Sequence, residues 1–174
     1  GLLPETLEIA SADASFRRYL RIAGVPGQPT RIIMDAPPEK ENCHPFVHVA
    51  QLMKEAGLHA PRVLEWDEAN GFMLLTDLGN ATLMSTLDPA RPEAAQPHYL
   101  RALDVLLPWQ LASRPGILPP YDEALLRREL QLFPDWYIAQ HRQCALDDKQ
   151  QAVLAKTFDT IVAHNLAVPS VYVH

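Results

Sequence analysis

Hydrophobic and polar positions alternate through the first part of the chain, as they do in β-strands. Segment 16–22 places four residues on one face of a predicted strand, Phe16, Arg18, Leu20 and Ile22, and three on the other, Arg17, Tyr19 and Arg21. Leu7 and Ile9 predict a short strand before it, with "SADA" as the turn between them. "RIIM" predicts a third strand, ended by two prolines. This order predicts an antiparallel meander.

A helix and two further strands complete the pattern of the first half. The stripe of Phe46, Val49, Ala50 and Met53 predicts a helix over 45–56, which Gly57 ends. "RVLEW" and "FMLLT" predict strands separated by the turn "DEANG". A small lobe of sheet plus helix is therefore expected over residues 1–79.

Helical periodicity dominates residues 80–174, which are expected to form a second, mostly helical lobe. One helix is predicted near 97–112, with Pro108 expected to kink or break it. A second covers 122–133, with Leu125, Leu126, Leu130 and Phe133 facing inward. Asp147 and Gln150 predict a capping box. The helix after it is expected to bury five residues: Val153, Leu154, Phe158, Ile161 and Val162. A last strand is predicted at 171–173.

Composition and charge narrow the class of protein. A chain of 174 residues with 48% hydrophobic content is typical of a folded globular protein. The net charge of −6 lacks the basic surplus of a nucleic-acid binder, although Arg17, Arg18 and Arg21 cluster locally. No apolar run reaches the roughly 18 residues needed to span a membrane, and no signal sequence is recognised. Cys43 and Cys144 make no disulfide framework. Together these features favour a cytoplasmic protein.

Four strings resemble the aminoglycoside-phosphotransferase-like family: "SADASFRRYLRI", "MDAPPEKENCHPF", "LLTDLG" and "RPGILPPYDEALLRRELQLFPDWY". The resemblance implies an α+β, protein-kinase-like fold, with a small antiparallel five-stranded lobe and one helix followed by the first part of a mainly helical lobe. Within the family the strings look most like bacterial anomeric sugar kinases of peptidoglycan recycling, which phosphorylate N-acetylmuramate and N-acetylglucosamine at C1. Another small-molecule kinase of the family is the alternative.

This resemblance implies an ATP site in the smaller lobe. The turn would carry the phosphate-binding residues Ser11, Ala12, Asp13, Ala14, Ser15, Phe16, Arg17 and Arg18. Related kinases place a phosphate-pairing Lys near the end of the third strand. Here Met34 and Asp35 stand there, so Arg17 or Arg18 is the candidate cation. Backbone groups of Thr76, Asp77 and Leu78 would read the adenine edge, with Leu20, Ile33 and Leu75 packing on its faces.

The acceptor side and the catalytic loop complete the expected kinase. Glu129 would bond sugar hydroxyls, and Trp136 or Tyr137 would stack on a ring face. His174 would open the catalytic loop in a structural role. The Asp that acts as base and the ligands of Mg²⁺ would follow it, so no metal ligand is assigned within this chain. The 174 residues alone are therefore predicted to have no phosphotransferase activity.

The residues taken without the resemblance are also compatible with interpretations other than a kinase. The turn is also compatible with a plain hairpin, the arginines with solvated strand positions, and the aromatic residues with the rim or core of a helix. A non-catalytic nucleotide- or partner-binding module is an alternative function. Cys43, His44 and His48 form a weak zinc pattern, as do His141 and Cys144, but no Cys-x-x-Cys pair supports it. No Gly-x-Ser-x-Gly motif supports a serine hydrolase.

Overall fold

The computed structural model describes residues 1–12 and 15–173, and for Ala12 its backbone alone. Within them, five strands form one antiparallel sheet in the order β1-β2-β3-β5-β4. The strands are β1 Leu2–Ala12, β2 Arg18–Gly24, β3 Arg31–Asp35, β4 Val63–Asp67 and β5 Phe72–Thr76. Helix α1, His44–Glu55, connects β3 to β4. Helices follow the sheet, which confirms the predicted α+β fold and is consistent with a kinase-like smaller lobe followed by the start of a helical one.

Strand β1 is longer than the sequence pattern predicted. The prediction began near Leu7, whereas the strand begins at Leu2 and runs through Pro4. The sheet order places β1 at an edge, where a proline without an N–H costs no ladder hydrogen bond on the open side. Its register against β2 shifts between Leu3 and Glu8. Such an irregularity hides the period of two on which the prediction relied.

The core of the sheet lies on the face that α1 covers. Met34, Ala36, Cys43, Met73 and Leu75 are its buried members. Tyr19 and Ile32 from the sheet, and Phe46 and Val47 from the helix, pack against this cluster. Because side chains alternate along a strand, residues one position away lie on the opposite face, which we call the open face. Leu20 and Ile33 are cross-strand partners on it, as are Ile33 and Leu74.

Residues next to helix α1 in the sequence account for where it begins and ends. The side-chain oxygen of Asn42 accepts a hydrogen bond from the His44 N–H at 3.1 Å, and Pro45 follows in the first turn. Gly57 stands just past the end with φ of 75°, in the left-handed region that favours glycine. The predicted helix over 45–56 is confirmed within one residue at each end.

The chain divides into two compact units between Ala112 and Ser113. The first unit ends with helical segments: α2 Leu83–Thr86, a 3₁₀ helix Pro92–Ala95 and α3 Gln96–Leu111. Pro108 does not break α3, because the next turn closes with an Ala112 N–H bond to the Pro108 oxygen at 3.0 Å. Of the predicted kink or break at Pro108, the break is therefore wrong, and the kink stays a prediction. The predicted lobe boundary at residue 79 stays a prediction.

The second unit contains α4 Glu123–Leu132, a π-helical segment Phe133–His141 and α5 Asp148–Leu166. Asp122 caps α4 through the Leu125 N–H, and the predicted capping box of Asp147 and Gln150 is formed by both of its hydrogen bonds. Leu154, Phe158 and Val162, spaced four residues apart on α5, are buried or partly buried, as predicted. Val153 and Ile161 were also predicted to be buried, but they are exposed.

Two further predictions for this unit are wrong. Phe133 is exposed, because the chain changes to π-helical geometry there and the 3.6-residue period no longer fixes its face. Residues 171–173 pair with no strand in the described part of the chain. Tyr172 is nevertheless buried, and its N–H donates to the Ser113 hydroxyl at 2.8 Å.

Candidate nucleotide-binding site

The turn between β1 and β2 lies at the sheet end where β3 also finishes. Ser11 and Ala12 belong to β1, paired with Tyr19 and Arg18, so the strand extends into the segment predicted as a turn. Asp13 and Ala14 lie outside the described residues. Ser15 and Phe16 form a bend, and the Ser15 hydroxyl accepts the Arg17 N–H at 3.2 Å. The small side chains that the phosphate prediction requires, at positions 11 and 15, are exposed.

Arg18 is paired across the sheet with Asp35. The two residues are register partners on β2 and β3, and the Arg18 Nε donates to the Asp35 carboxylate at 3.0 Å, with an Nη2 contact to the same oxygen. The carboxylate is buried, whereas the Arg18 side chain is 74% exposed. Asp35 is the last residue of β3. A carboxylate therefore stands on β3 where a cation was expected, and the positive charge comes from Arg18 on the neighbouring strand β2.

Arg17 has a different partner. Its Nε donates to Glu41 at 3.0 Å, and the other oxygen of that carboxylate accepts the Phe16 N–H, also at 3.0 Å. Arg17 and Arg18, both of which the sequence offered as the candidate cation, therefore differ in exposure and in partner. The exposed Arg18 is the better placed of the two to meet an incoming phosphate.

The open face offers an apolar surface beside these arginines. Alternation places Leu20 and Arg18 on the same face of β2, with Ile33 opposite Leu20 and Leu74 opposite Ile33. Leu75, which was expected to contact adenine, is instead buried in the cluster under α1. The sequence could not separate Leu74 from Leu75, because both are apolar and only the position of α1 decides which face is covered.

The connector after β5 is fixed by a single carboxylate. Asp77 accepts hydrogen bonds from Arg21 Nε at 2.7 Å, from the Thr30 hydroxyl at 2.8 Å and from the Gly79 N–H at 2.8 Å. Arg21 also donates to the Gly79 carbonyl at 3.0 Å. The Asp77 side chain is only 4% exposed. The sequence had assigned only backbone groups here, and sequence spacing gives no signal for a partner 56 residues away.

These donors govern the protonation of Asp77. The Arg21 guanidinium, followed by the Thr30 hydroxyl and the Gly79 amide, holds the pKa of Asp77 well below its usual range, against the opposing effect of burial. The carboxylate is therefore charged at neutral pH. Thr76 is also engaged, since its N–H donates to the Arg62 oxygen at 3.0 Å. Leu78 is exposed.

The predicted acceptor-side residues lie in the second unit. Glu129 is on α4, and Trp136 and Tyr137 are on the π-helical segment. Tyr137 stacks on Phe133 with ring centroids 5.5 Å apart, while Trp136 is exposed. Glu129 forms a long ion pair with Arg128 at 3.3 Å. Their role in sugar binding stays a prediction, and His174 lies outside the described residues.

No zinc site is formed by the part of the chain that the structure describes, because no group of three or more His, Cys, Asp or Glu side chains is arranged to hold a metal. His44 instead shares a hydrogen bond with Glu68 at 2.9 Å. Cys43 is buried, and burial raises the pKa of its thiol. None of the described helices combines the length and the apolar character that crossing a membrane requires.

The amino-acid sequence is similar to those of several curated proteins that share one enzyme name. The chain is 47% identical over 171 residues to the N-acetylmuramate/N-acetylglucosamine kinase of Pseudomonas aeruginosa, covering 98% of this chain and 49% of that protein. Proteins of the same name from Pseudomonas putida and Neisseria meningitidis are 41% and 39% identical. These matches cover 97% of this chain and 48% and 50% of the two relatives. The chain thus spans about half the length of the curated relatives it matches. No protein-family profile matches it.

Proposed function

We propose that this chain forms part of an ATP-dependent kinase that phosphorylates N-acetylmuramate and N-acetylglucosamine in peptidoglycan recycling. The observation that carries the proposal is the 47% identity to a kinase of that name across 98% of the chain. The antiparallel sheet with one covering helix supports it, because this is the architecture expected of a kinase's smaller lobe.

The smaller lobe, residues 1–79, would hold ATP. The turn over 11–18 would receive the phosphates, with the exposed Arg18 as the cation that offsets their charge. Leu20, Ile33 and Leu74 on the open face would contact the adenine ring. The connector over 76–78, held through the Asp77 carboxylate, would present its free backbone groups to the adenine edge.

The second lobe would bind the sugar and complete the chemistry. Glu129, Trp136 and Tyr137 are the proposed sugar contacts. The γ-phosphoryl group would pass from ATP to the C1 hydroxyl of the sugar, and the hydroxyl proton to an Asp following His174. Mg²⁺ would neutralise phosphate charge, with ligands also after His174. Such positioning and charge stabilisation account for most of the catalysis in phosphoryl transfer.

The assignment of the phosphate site is tested by Arg18→Ala in the protein at its natural length. Hydrogen bonds to charged groups contribute about 1.5–3 kcal/mol, so ATP affinity should fall roughly 10- to 100-fold by calorimetry. Arg101→Ala, an exposed arginine on α3, is the control and should leave ATP affinity unchanged. Wild-type affinity in Arg18→Ala would remove Arg18 from the nucleotide site.

A further inference from the structure

We infer that Glu41 is a positioning residue of the nucleotide site, because one carboxylate joins the main chain at Phe16 and the side chain of Arg17 immediately before Arg18. This inference rests on the proposed function, and it adds a residue that no sequence motif marked. Glu41 comes from the segment between β3 and α1, 25 residues after Phe16.

The geometry is that of a two-point clamp. Glu41 Oε1 accepts the Phe16 N–H at 3.0 Å, and Oε2 accepts the Arg17 Nε–H at 3.0 Å. The Glu41 side chain is 11% exposed and that of Arg17 24%. A third contact supports the same segment, since the Lys40 ammonium lies 4.7 Å from the centroid of the Phe16 ring. Charge-assisted hydrogen bonds of this length are among the stronger contacts in proteins.

The clamp is itself anchored to the lobe. The N–H groups of Lys40 and Glu41 both donate to the Pro37 oxygen at 2.9 Å, which closes a turn directly after β3. The Asn42 side-chain oxygen then accepts the His44 N–H at the start of α1. Glu41 therefore ties the bend at 15–16 to the hydrogen-bonded segment that connects the end of β3 to the start of α1.

This arrangement gives the two arginines separate roles. The Phe16 N–H and Arg17 are engaged by Glu41, and they act on the nucleotide by fixing the backbone that leads into Arg18. Arg18 remains exposed at the edge of the open face, with its guanidinium oriented by Asp35. A catalytic or binding group held by such contacts needs less reorganisation when its ligand arrives.

If Glu41 instead occupied the phosphate position, removing it would have the opposite effect on ATP binding. A carboxylate bound by a backbone N–H and a guanidinium resembles a bound phosphate. Glu41 would then compete with ATP, and its removal would tighten binding. The low exposure of Glu41 and Arg17 favours positioning, because separating a mostly covered ion pair leaves a charge poorly solvated.

The test uses the protein at its natural length, with Glu41→Ala, Glu41→Gln and the control Glu68→Ala. Glu68 lies at the same end of the sheet, is exposed, and pairs only with the exposed His44 among the contacts seen. We expect Glu41→Ala to raise the ATP dissociation constant and the KM for ATP about tenfold or more, with the KM for the sugar within about twofold. Glu41→Gln should fall between, since its amide oxygen still accepts the Phe16 N–H. Glu68→Ala should match the wild type.

Tighter ATP binding by Glu41→Ala would overturn the inference, as would parallel losses for ATP and sugar, which indicate a merely structural role. An unchanged ATP dissociation constant would overturn it too. The binding measurement needs no sugar, so a wild-type protein that binds ATP without phosphorylating a sugar defeats the sugar-kinase proposal alone. A wild-type protein that binds no ATP defeats both.

Discussion

Replacing Asp77 by Ala tests whether one carboxylate holds the connector to the sheet. The substitution removes the acceptor of the hydrogen bonds from Arg21, Thr30 and Gly79, which lie between 2.7 and 3.2 Å from its oxygens. Because the Asp77 side chain is almost fully covered, water can only partly replace its carboxylate as the acceptor for these three donors.

The expected cost follows from the contacts. A hydrogen bond to a charged group contributes about 1.5–3 kcal/mol, but solvent reaches part of the Arg21 guanidinium and screens its attraction to Asp77. We therefore expect Asp77→Ala to lower the free energy of opening the connector by about 2 kcal/mol, which is about 30-fold in the opening equilibrium.

Hydrogen exchange followed by mass spectrometry measures this directly. Peptides covering β5 and the connector should exchange about 30-fold faster in Asp77→Ala at constant pH. The control is Asp88→Ala, which removes an exposed ion pair with Arg91 of similar length, 2.9 Å, and should leave exchange unchanged. Wild-type exchange in Asp77→Ala, or equal acceleration in both variants, would refute the reasoning.

Three further predictions concern the same lobe and the cysteines. Because the pKa of Asp77 is lowered on folding, its stabilisation is complete above about pH 5 and is lost as pH falls below the unfolded value of about 3.9. The exchange difference between Asp77→Ala and wild type should shrink only there, and its loss at neutral pH would contradict the assignment. Gly71→Ala should destabilise about 1–3 kcal/mol more than Gly57→Ala in urea denaturation. Both glycines have φ near 75°, but a Cβ at Gly71 would overlap a backbone carbonyl whereas Gly57 faces open space, so equal costs would contradict the packing. Iodoacetamide at neutral pH should label the exposed Cys144 and spare Cys43, whose pKa is raised by burial, and equal labelling would contradict that burial.

Local patterns predicted the parts of the structure that local forces determine. Alternation over 16–22 identified β2, because a strand with one covered face needs a period of two. Asp147 and Gln150 predicted the start of α5, because a capping box is formed within four residues. The periodic pattern did not predict the strand at Pro4 or the exposed face of Phe133, because an irregular edge strand and π-helical geometry alter the period there.

The site depends on contacts between residues distant in sequence, which a pattern cannot supply. The predicted meander makes β2 and β3 neighbours, but the pairing of Arg18 with Asp35 follows from the register of the two strands, which the meander does not fix. Glu41 gave no comparable signal, since it reaches Phe16 from a loop. Likewise, the choice between Leu74 and Leu75 required the position of α1.

Phosphoryl transfer by the protein at its natural length tests the central claim most directly. We expect ATP-dependent phosphorylation of N-acetylmuramate and N-acetylglucosamine at C1. Loss of the sugar's reducing end and an anomeric phosphate signal in ³¹P NMR would both report that product. Arg18→Ala should raise the KM for ATP and so slow phosphoryl transfer at limiting ATP. A protein that binds ATP and transfers phosphate to neither sugar would contradict the account.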